Sequence, residues 1–296
     1  MNKNTQAHAA VLGANIIFAA NYSIVKFITP GYMQPFAINF VRVASSIILF
    51  WILWLLKPGK WGIQRKDIPR FIACGITGVL INQIFFIKGL SLTTSIHSSL
   101  LSLCTPIFIT FIAAWLINES LNWLKIAGLA LGVFGAMLLI LMKDNNHTGS
   151  NVLLGDILVI INAISYAFYL VMVRPLMASY SAIHVIRWVF TIGGIIMLPI
   201  SAPAFMATNW HSFEFTQWAA LFFIAVGATF LAYLFNVYGI GKMGASATGA
   251  YIYTQPVFAA IIAMLFAGEH FSLIKGIAAL LIFSGVYLAN FKRELS

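Results

Sequence analysis

The sequence predicts an all-α membrane protein of ten transmembrane helices, arranged as two inverted five-helix repeats. Three observations predict it: an extreme apolar composition, ten apolar runs of membrane-spanning length, and an internal repeat with an offset of 150 residues. Of the 296 residues, 61% are hydrophobic and only 8% are charged. Because an ordinary soluble domain is ~45–50% apolar and ~25% charged, this composition excludes a water-soluble protein.

Each apolar run is close to the ~20 residues that a helix needs to cross a bilayer. The first run is about twenty residues long and continues into a loop, so we expect a retained first helix and not a cleaved signal peptide. The runs form two predicted domains, 9–142 and 152–291. In chain order the predicted helices are 9–28, 34–56, 69–90, 96–117, 122–142, 152–173, 182–203, 217–239, 245–267 and 272–291.

Polar, proline and glycine residues separate the runs, as expected of turns between helices. In chain order these breaks are Pro30-Gly31, Pro58-Gly59, Asn118-Glu119-Ser120, the stretch 143–151, Pro203 and Gly268-Glu269. The formal net charge is +10, and most Lys and Arg residues fall in the connections that share a side with both termini. Cytoplasmic loops are rich in Lys and Arg, so we expect both termini in the cytoplasm and the protein in the cytoplasmic (inner) membrane.

The internal repeat is the most informative feature. Between 85 and 138, eleven positions are identical to the residue 150 further on, without a gap. Five helices per copy is an odd number, so the two copies must cross the membrane in opposite directions. Inverted repeats place a binding site between the halves near the bilayer centre, which favours a transporter. The matches with specific character are Gly89/Gly239, Pro106/Pro256, Phe108/Phe258, Glu119/Glu269, Lys125/Lys275 and Gly135/Gly285.

These motifs resemble a known family. The pattern from Pro106 through Glu119 to Gly135 recurs from Pro256 through Glu269 to Gly285. It is similar to the duplicated EamA domain of the drug/metabolite transporter superfamily, in its ten-helix exporter branch. The resemblance covers nearly the whole chain and implies a permease for small molecules, since members mostly export amino acids and other metabolites. The resemblance does not identify the transported substrate.

Polar and aromatic residues within the first, third, fourth, sixth, eighth and ninth helices are the candidate substrate site, because such residues in hydrocarbon usually face protein or water. Asn162 and Ser165 in the sixth helix belong to the same polar set, and the alternative for each residue is a hydrogen bond to a neighbouring helix. The candidates are Asn21, Tyr22, Asn82, Gln83, Phe86, His97, Thr105, Tyr166, Tyr169, Tyr233, Asn236, Tyr251 and Gln255.

Pro106 and Pro256 lie near the middle of the fourth and ninth helices. A proline removes one helical hydrogen bond and kinks the helix, so this symmetric pair is the predicted hinge. Ordinary kinking without a gating role is the alternative.

Three cations need a separate interpretation. Lys26 and Lys88 lie near helix ends, where a lysine can extend its ammonium group to the membrane surface. Arg42 lies deeper in the second helix, where a cation costs ~2.5–3.5 kcal/mol on insertion scales. Asp156 is a possible partner for it.

Acidic residues and catalytic motifs point away from other functions. No Asp or Glu falls within 9–28. Four-helix members of the superfamily carry a buried Glu there that exchanges protons for cationic drugs, so the resemblance disfavours that activity. Glu119 and Glu269 are expected to cap their own hairpins. No nucleotide-binding or hydrolase motif is present, so we expect no enzyme activity, no catalytic residues, no cofactor and no metal.

The predicted function is therefore export of small polar or amphipathic metabolites, amino-acid-like ones included, without ATP. An uptake permease and a flippase for a lipid-linked headgroup are the alternatives. The expected partners are a small-molecule substrate and the lipid bilayer, with no nucleic acid, and the protein is expected to be a monomer or a homodimer.

Overall fold

The computed structural model describes residues 3–56, 62–117, 123–141, 150–243 and 251–290. These residues form ten apolar helical segments, eight of which are long enough to cross a membrane. The all-α membrane fold is confirmed. The predicted breaks at Pro58-Gly59, at 118–120 and at 143–149 lie outside the described residues. The segments are α1 Lys3–Ile28, α2 Pro35–Leu56, α3 68–92, α4 95–117, α5 Trp123–Leu141, α6 Val152–Ser179, α7 Ala182–Met206, α8 215–243, α9 Tyr251–Phe266 and α10 Leu273–Asn290.

Two helices contain a π-helical stretch, which the apolar periodicity does not predict. In α3 it covers Ile76–Ile81, and in α8 it covers Phe223–Leu231. The two stretches overlap when the chain is shifted by the 150-residue offset, so the repeat extends to this local distortion. Single π-turns inside α-helices are frequent at functional sites because they leave backbone carbonyls available to other donors.

The hinge helices are interrupted and not simply kinked. Helix α4 stops at Ser102 and restarts with Thr105–Ile117, and α9 starts with a 3₁₀ turn, Tyr251–Thr254, before Gln255–Phe266. Pro106 and Pro256 are each the second residue of the restarted helix. A proline there has no helical N–H bond to lose, so it marks a helix start.

The strongest contacts between the helices keep the same pattern when the two halves are exchanged. Helix α1 packs against α8 and α9, and its repeat mate α6 packs against α3 and α4; α2 pairs with α7, and α5 with α10. The C-terminal end of α1 and the N-terminal end of α6 lie at the same end of the molecule, since Lys26 of α1 and Asp156 of α6 both bind Thr93. The N-terminal end of α4 likewise lies beside the C-terminal end of α9, since the Ser95 N–H group donates to Glu269, three residues after α9. Repeat mates therefore run in opposite directions, and the inverted repeat is confirmed.

Glycines bring α5 and α10 into close contact. A Cβ atom on Gly285 would lie 2.6 Å from the Gly128 carbonyl oxygen and 2.6 Å from the Gly132 nitrogen. A Cβ on Gly135 would meet Leu281 and Ile282, both at 2.9 Å. Small residues allow backbones to approach this closely in membrane helices. Gly128, Gly132 and Gly135 therefore belong to an internal packing surface of α5.

Candidate functional site

Five of the predicted site residues and Phe18 form three aromatic pairs, which are together called the aromatic group. Tyr22 meets Phe86 edge to face, with ring centroids 5.6 Å apart. Phe18 meets Tyr233 in the same way at 6.0 Å. The group comprises Phe18, Tyr22, Phe86, Tyr166, Tyr169 and Tyr233, from α1, α3, α6 and α8. These helices belong to both halves of the chain, so the group lies where the halves meet.

A glycine in α3 fixes one side of this group. Tyr166 and Tyr169 stack at 5.7 Å, and a Cβ on Gly78 would lie 2.6 Å from the ring of Tyr169. Any side chain at position 78 would therefore displace that ring. Gly78 lies within the π-helical stretch of α3, so the distortion and the ring position occur together.

Two predicted amides beside the aromatic group have polar atoms that the described residues leave without a partner. Asn21 and Gln83 are buried, and Asn21 Oδ1 and Gln83 Oε1 accept no hydrogen bond from the part of the chain that the structure describes. Asn21 follows Phe18 by three residues, and Gln83 precedes Phe86 by three, so each amide shares a helical face with an aromatic ring. A buried unpaired acceptor is costly unless something else binds it, which makes these oxygens candidate substrate contacts.

Two other polar residues of α6 bind the backbone of α3. Asn162 donates from Nδ2 to the Asn82 carbonyl oxygen at 2.9 Å, and Ser165 donates from Oγ to the Thr77 carbonyl oxygen at 2.7 Å. These carbonyls lie in and just after the π-helical stretch. Asn162 and Ser165 therefore follow the alternative interpretation, a hydrogen bond between helices.

His97 lies apart from the aromatic group, in a buried polar cluster at one end of the helices. This end cluster comprises Lys26, Thr93, His97, Asp156 and Glu269. His97 Nδ1 lies 2.9 Å from Asp156 Oδ2, and the Thr93 hydroxyl donates to Asp156 Oδ1. The two side chains His97 and Asp156 are 2% and 0% exposed, so this pair is shielded from water.

The other contacts of the end cluster correct two expectations. Glu269 does not simply cap its own hairpin, because its carboxylate accepts the backbone N–H groups of Ser95 at 2.7 Å and Ile96 at 3.0 Å, at the start of α4. Lys26 does not extend to the membrane surface, because its ammonium donates to the Thr93 carbonyl. Lys88 is exposed. Glu119, the repeat mate of Glu269, lies outside the described residues.

Tyr251 and Gln255 bind α1 towards the opposite end of the helices. The Tyr251 hydroxyl lies 2.7 Å from Nδ1 of the exposed His8, and Gln255 Nε2 donates to Asn15 Oδ1 at 2.7 Å. Asn15 is absent from the predicted set, although it lies seven residues before Tyr22 and so shares its helical face. Thr105 and Asn236 are half-buried; Thr105 begins the second part of α4.

Arg42 is buried but does not bind Asp156. Its Nε donates to the Thr229 hydroxyl at 3.2 Å, and its guanidinium carbon lies 6.0 Å from the centre of the Phe86 ring. Tyr233 lies within electrostatic range of the same guanidinium. Arg42 therefore adjoins the aromatic group, and Asp156 is engaged in the end cluster.

The chain is similar to a family of transporters along almost its whole length. The model of the EamA-like transporter family matches twice, at residues 5–141 and 153–291. An uncharacterized transporter of Archaeoglobus fulgidus is 24% identical, with 98% of this chain and 99% of that protein aligned. The uncharacterized transporter YetK of Bacillus subtilis is 24% identical, with 99% and 89% aligned.

A further relative carries a more specific name, and one solved structure has the same fold. The probable terminal-alkyne amino-acid exporter of Streptantibioticus cattleyicolor is 23% identical, with 97% of this chain and 94% of that protein aligned. A crystal structure with 18% sequence identity superimposes with a TM-score of 0.64 and covers 97% of this chain and 98% of its own. At that identity the superposition concerns the fold alone.

Proposed function

Because the chain belongs to the EamA-like transporter family, we propose that it exports small polar or amphipathic metabolites, amino acids among them, by alternating access. The chain is a multi-pass membrane transporter and not an enzyme. Substrate class, direction, the cytoplasmic membrane and cytoplasmic termini belong to the proposal. The likeness to a probable amino-acid exporter supports the choice of cargo and direction.

The observation that carries the proposal is the combination of aromatic rings and unpartnered amide oxygens between the two halves. Asn21 Oδ1 and Gln83 Oε1 are buried acceptors that would bind donors of a polar substrate, such as an ammonium group. The rings of the aromatic group offer apolar faces for the rest of the molecule. Such mixed sites, mostly apolar with a few placed polar groups, are typical of small-molecule binding.

The two ends of the helices differ in how they are closed, which supports alternating access. Four of the five residues of the end cluster are buried and Lys26 is half-buried, and the cluster joins α1, α4, α6 and the α9–α10 turn. At the opposite end, α1 and α9 are joined through the exposed His8–Tyr251 contact. Rocking of α4 and α9 about the helix starts at Pro106 and Pro256 would open one end while the other stays closed.

The test is flux through the purified protein in lipid vesicles, measured with labelled amino acids. Gln83→Leu and Asn21→Leu should each lower the flux roughly tenfold or more, as expected when a buried hydrogen bond worth ~1.5–3 kcal/mol to a charged group is lost. Neither substitution breaks a hydrogen bond within the described part of the protein, so the midpoint of thermal unfolding should stay at the wild-type value. Asn162→Leu is the control, because it removes the bond to α3 and should lower the midpoint instead.

Equal flux in the wild type, Gln83→Leu and Asn21→Leu would remove both amides from the site. Direction is measured separately in cells, where an exporter depletes a labelled amino acid and an uptake permease accumulates it. Failure of the protein to carry any amino acid, together with movement of a labelled lipid-linked headgroup, would replace the proposal by a flippase.

A further inference from the structure

Arg42 is a buried cation with part of its hydrogen-bonding capacity unused. Only 5% of the residue is exposed, and the Nη1 atom is buried with no hydrogen-bond partner among the described residues. The Nε atom is held by the Thr229 hydroxyl, which itself donates to the Ile224 carbonyl oxygen at 2.8 Å. One edge of the guanidinium is therefore anchored to α8, and the edge that carries Nη1 and Nη2 is left for another group.

No carboxylate in the described part of the chain compensates this charge. Asp156 and Glu269 are engaged in the end cluster, and Asp67 accepts the Tyr180 hydroxyl at 2.7 Å at the far end of α3. Glu214 lies at the start of α8. An ionisable residue inside a membrane protein is expected to have an opposite charge or to belong to a functional site.

We infer that Arg42 is the anion-binding residue of the transport site, and that the transported molecules carry a carboxylate. This rests on the proposed function and narrows its substrate class. A guanidinium binds a carboxylate through two parallel N–H···O bonds, and the edge opposite Nε in Arg42 has that geometry. The carboxylate would lie close to Phe86, so the rest of the substrate would contact the aromatic group.

Arg187 in α7 corresponds to Arg42 in α2 at a smaller offset of 145 residues, because the earlier helices of the repeat match only after a small insertion. It is also buried, but its neighbours differ from those of Arg42. Its guanidinium carbon lies 4.6 Å from the ring centres of both Trp51 and Trp54, and its Nη2 lies 3.2 Å from His184 Nδ1. A cation enclosed by indole rings is stabilised by them and contributes to packing. Arg187 is therefore a matched control at the equivalent position of the other half.

The experiment uses the full-length protein in nanodiscs and measures ligand-dependent shifts of the thermal midpoint. The probes are the proteinogenic L-amino acids and 3-phenylpropionate, each compared with its own carboxamide. The wild type should bind at least one acid roughly thirtyfold or more tightly than its carboxamide, because the amide cannot replace the charge. Arg42→Gln should abolish this preference, and Arg42→Lys should retain part of it, because lysine keeps the charge but not the two-bond geometry.

A second readout needs no ligand. Arg42→Gln should leave the midpoint of the unliganded protein unchanged or higher, because it removes an uncompensated buried charge and Thr229 keeps its bond to Ile224. Arg187→Gln should lower the midpoint but keep the acid preference of any protein that remains folded.

Three results would overturn the inference: no acid preference in the wild type, an unchanged preference in Arg42→Gln, or a midpoint lowered by Arg42→Gln as much as by Arg187→Gln. Carboxamides that are bound and carried as well as acids would sink the role of Arg42 and leave the transport proposal standing. If acids bind through Arg42 but none is carried across the vesicle membrane, the transport proposal fails and the role of Arg42 as the anion-binding residue stands.

Discussion

Contacts of single residues join the helices at one end of the molecule. His97 and Asp156 form a buried pair 2.9 Å apart, and Glu269 binds two backbone N–H groups at the start of α4. These contacts join the two halves of the chain. Hydrogen bonds to charged groups contribute ~1.5–3 kcal/mol each, so the loss of one should shift the balance between closed and open states measurably.

Asp156→Asn should open this end more often. The substitution removes the negative charge that His97 and Thr93 bind, so a cysteine placed at Ser102 should react faster with an impermeant maleimide. The rate should rise roughly tenfold, which corresponds to a loss of ~1.4 kcal/mol of closing free energy. The measurement is the labelling rate of Ser102→Cys in a protein without Cys74 and Cys104.

Asp67→Asn is the control for this prediction. Asp67 binds Tyr180 at the opposite end of α3, so its substitution should leave the labelling rate at position 102 unchanged. Equal labelling in Asp156→Asn and in the parent protein would show that the end cluster does not close the end.

The residue types of the candidate site can be read from the sequence, but their partners in the structure cannot. Asn21, Tyr22, Gln83 and Tyr169 stand out in the sequence because polar atoms within apolar runs are rare. The partners of Glu269 are backbone amides 174 and 173 residues away. No side-chain pattern marks a backbone amide, so only the approach of the α9–α10 turn to α4 reveals the contact.

At the scale of helices, local distortions place the functional side chains. The π-helical stretch of α3 brings Gly78 against Tyr169, and that of α8 supplies Thr229 to Arg42. The existence of one helix per apolar run was predictable because the bilayer thickness sets a minimum length. The bounds were predicted less well, since α1 already begins at Lys3 and α6 continues to Ser179. The π-helical stretches were not, because one extra residue per turn changes neither the composition nor the apolar character of a run.

Gly285→Ala should destabilise the α5–α10 contact. The new Cβ would lie 2.6 Å from backbone atoms of α5, which cannot move independently of their helix. Overpacking of this kind costs ~1–3 kcal/mol, so the thermal midpoint of the purified protein should fall. Gly13→Ala in α1 is the matched control.

A Cβ on Gly13 would meet only Phe235, at 4.0 Å. An alanine also favours the helix over glycine by ~0.5–1 kcal/mol, so the midpoint of Gly13→Ala should hold or rise. A midpoint of Gly285→Ala that equals or exceeds the wild-type value would contradict the close approach of α5 and α10.

At the scale of the whole molecule, each half covers the first helix of the other half. Helix α1 packs against α8 and α9, and α6 packs against α3 and α4. This exchange was predictable in outline, because an odd number of helices per repeat forces inversion. The particular pairs were not, since all ten runs are similarly apolar and no sequence signal ranks their contacts.

Separate expression of the two halves tests this dependence. Residues 1–146 and 147–296, produced alone, should each be degraded or aggregate, because each lacks the surfaces that cover its first helix. Co-expression should restore an assembly that co-purifies through a tag on one half and carries substrate. Stable, monodisperse material from either half alone would contradict the packing.

The hydrogen bond between Arg42 and Thr229 also has a consequence for biosynthesis. The two residues are 187 positions apart, and ribosomes add ~5–20 residues per second, so α2 leaves the translocon roughly 10–40 s before α8 is made. During that interval lipid headgroups and water must solvate the guanidinium. The nascent first half is therefore the stage at which insertion factors and quality-control proteases have the most time to engage this protein.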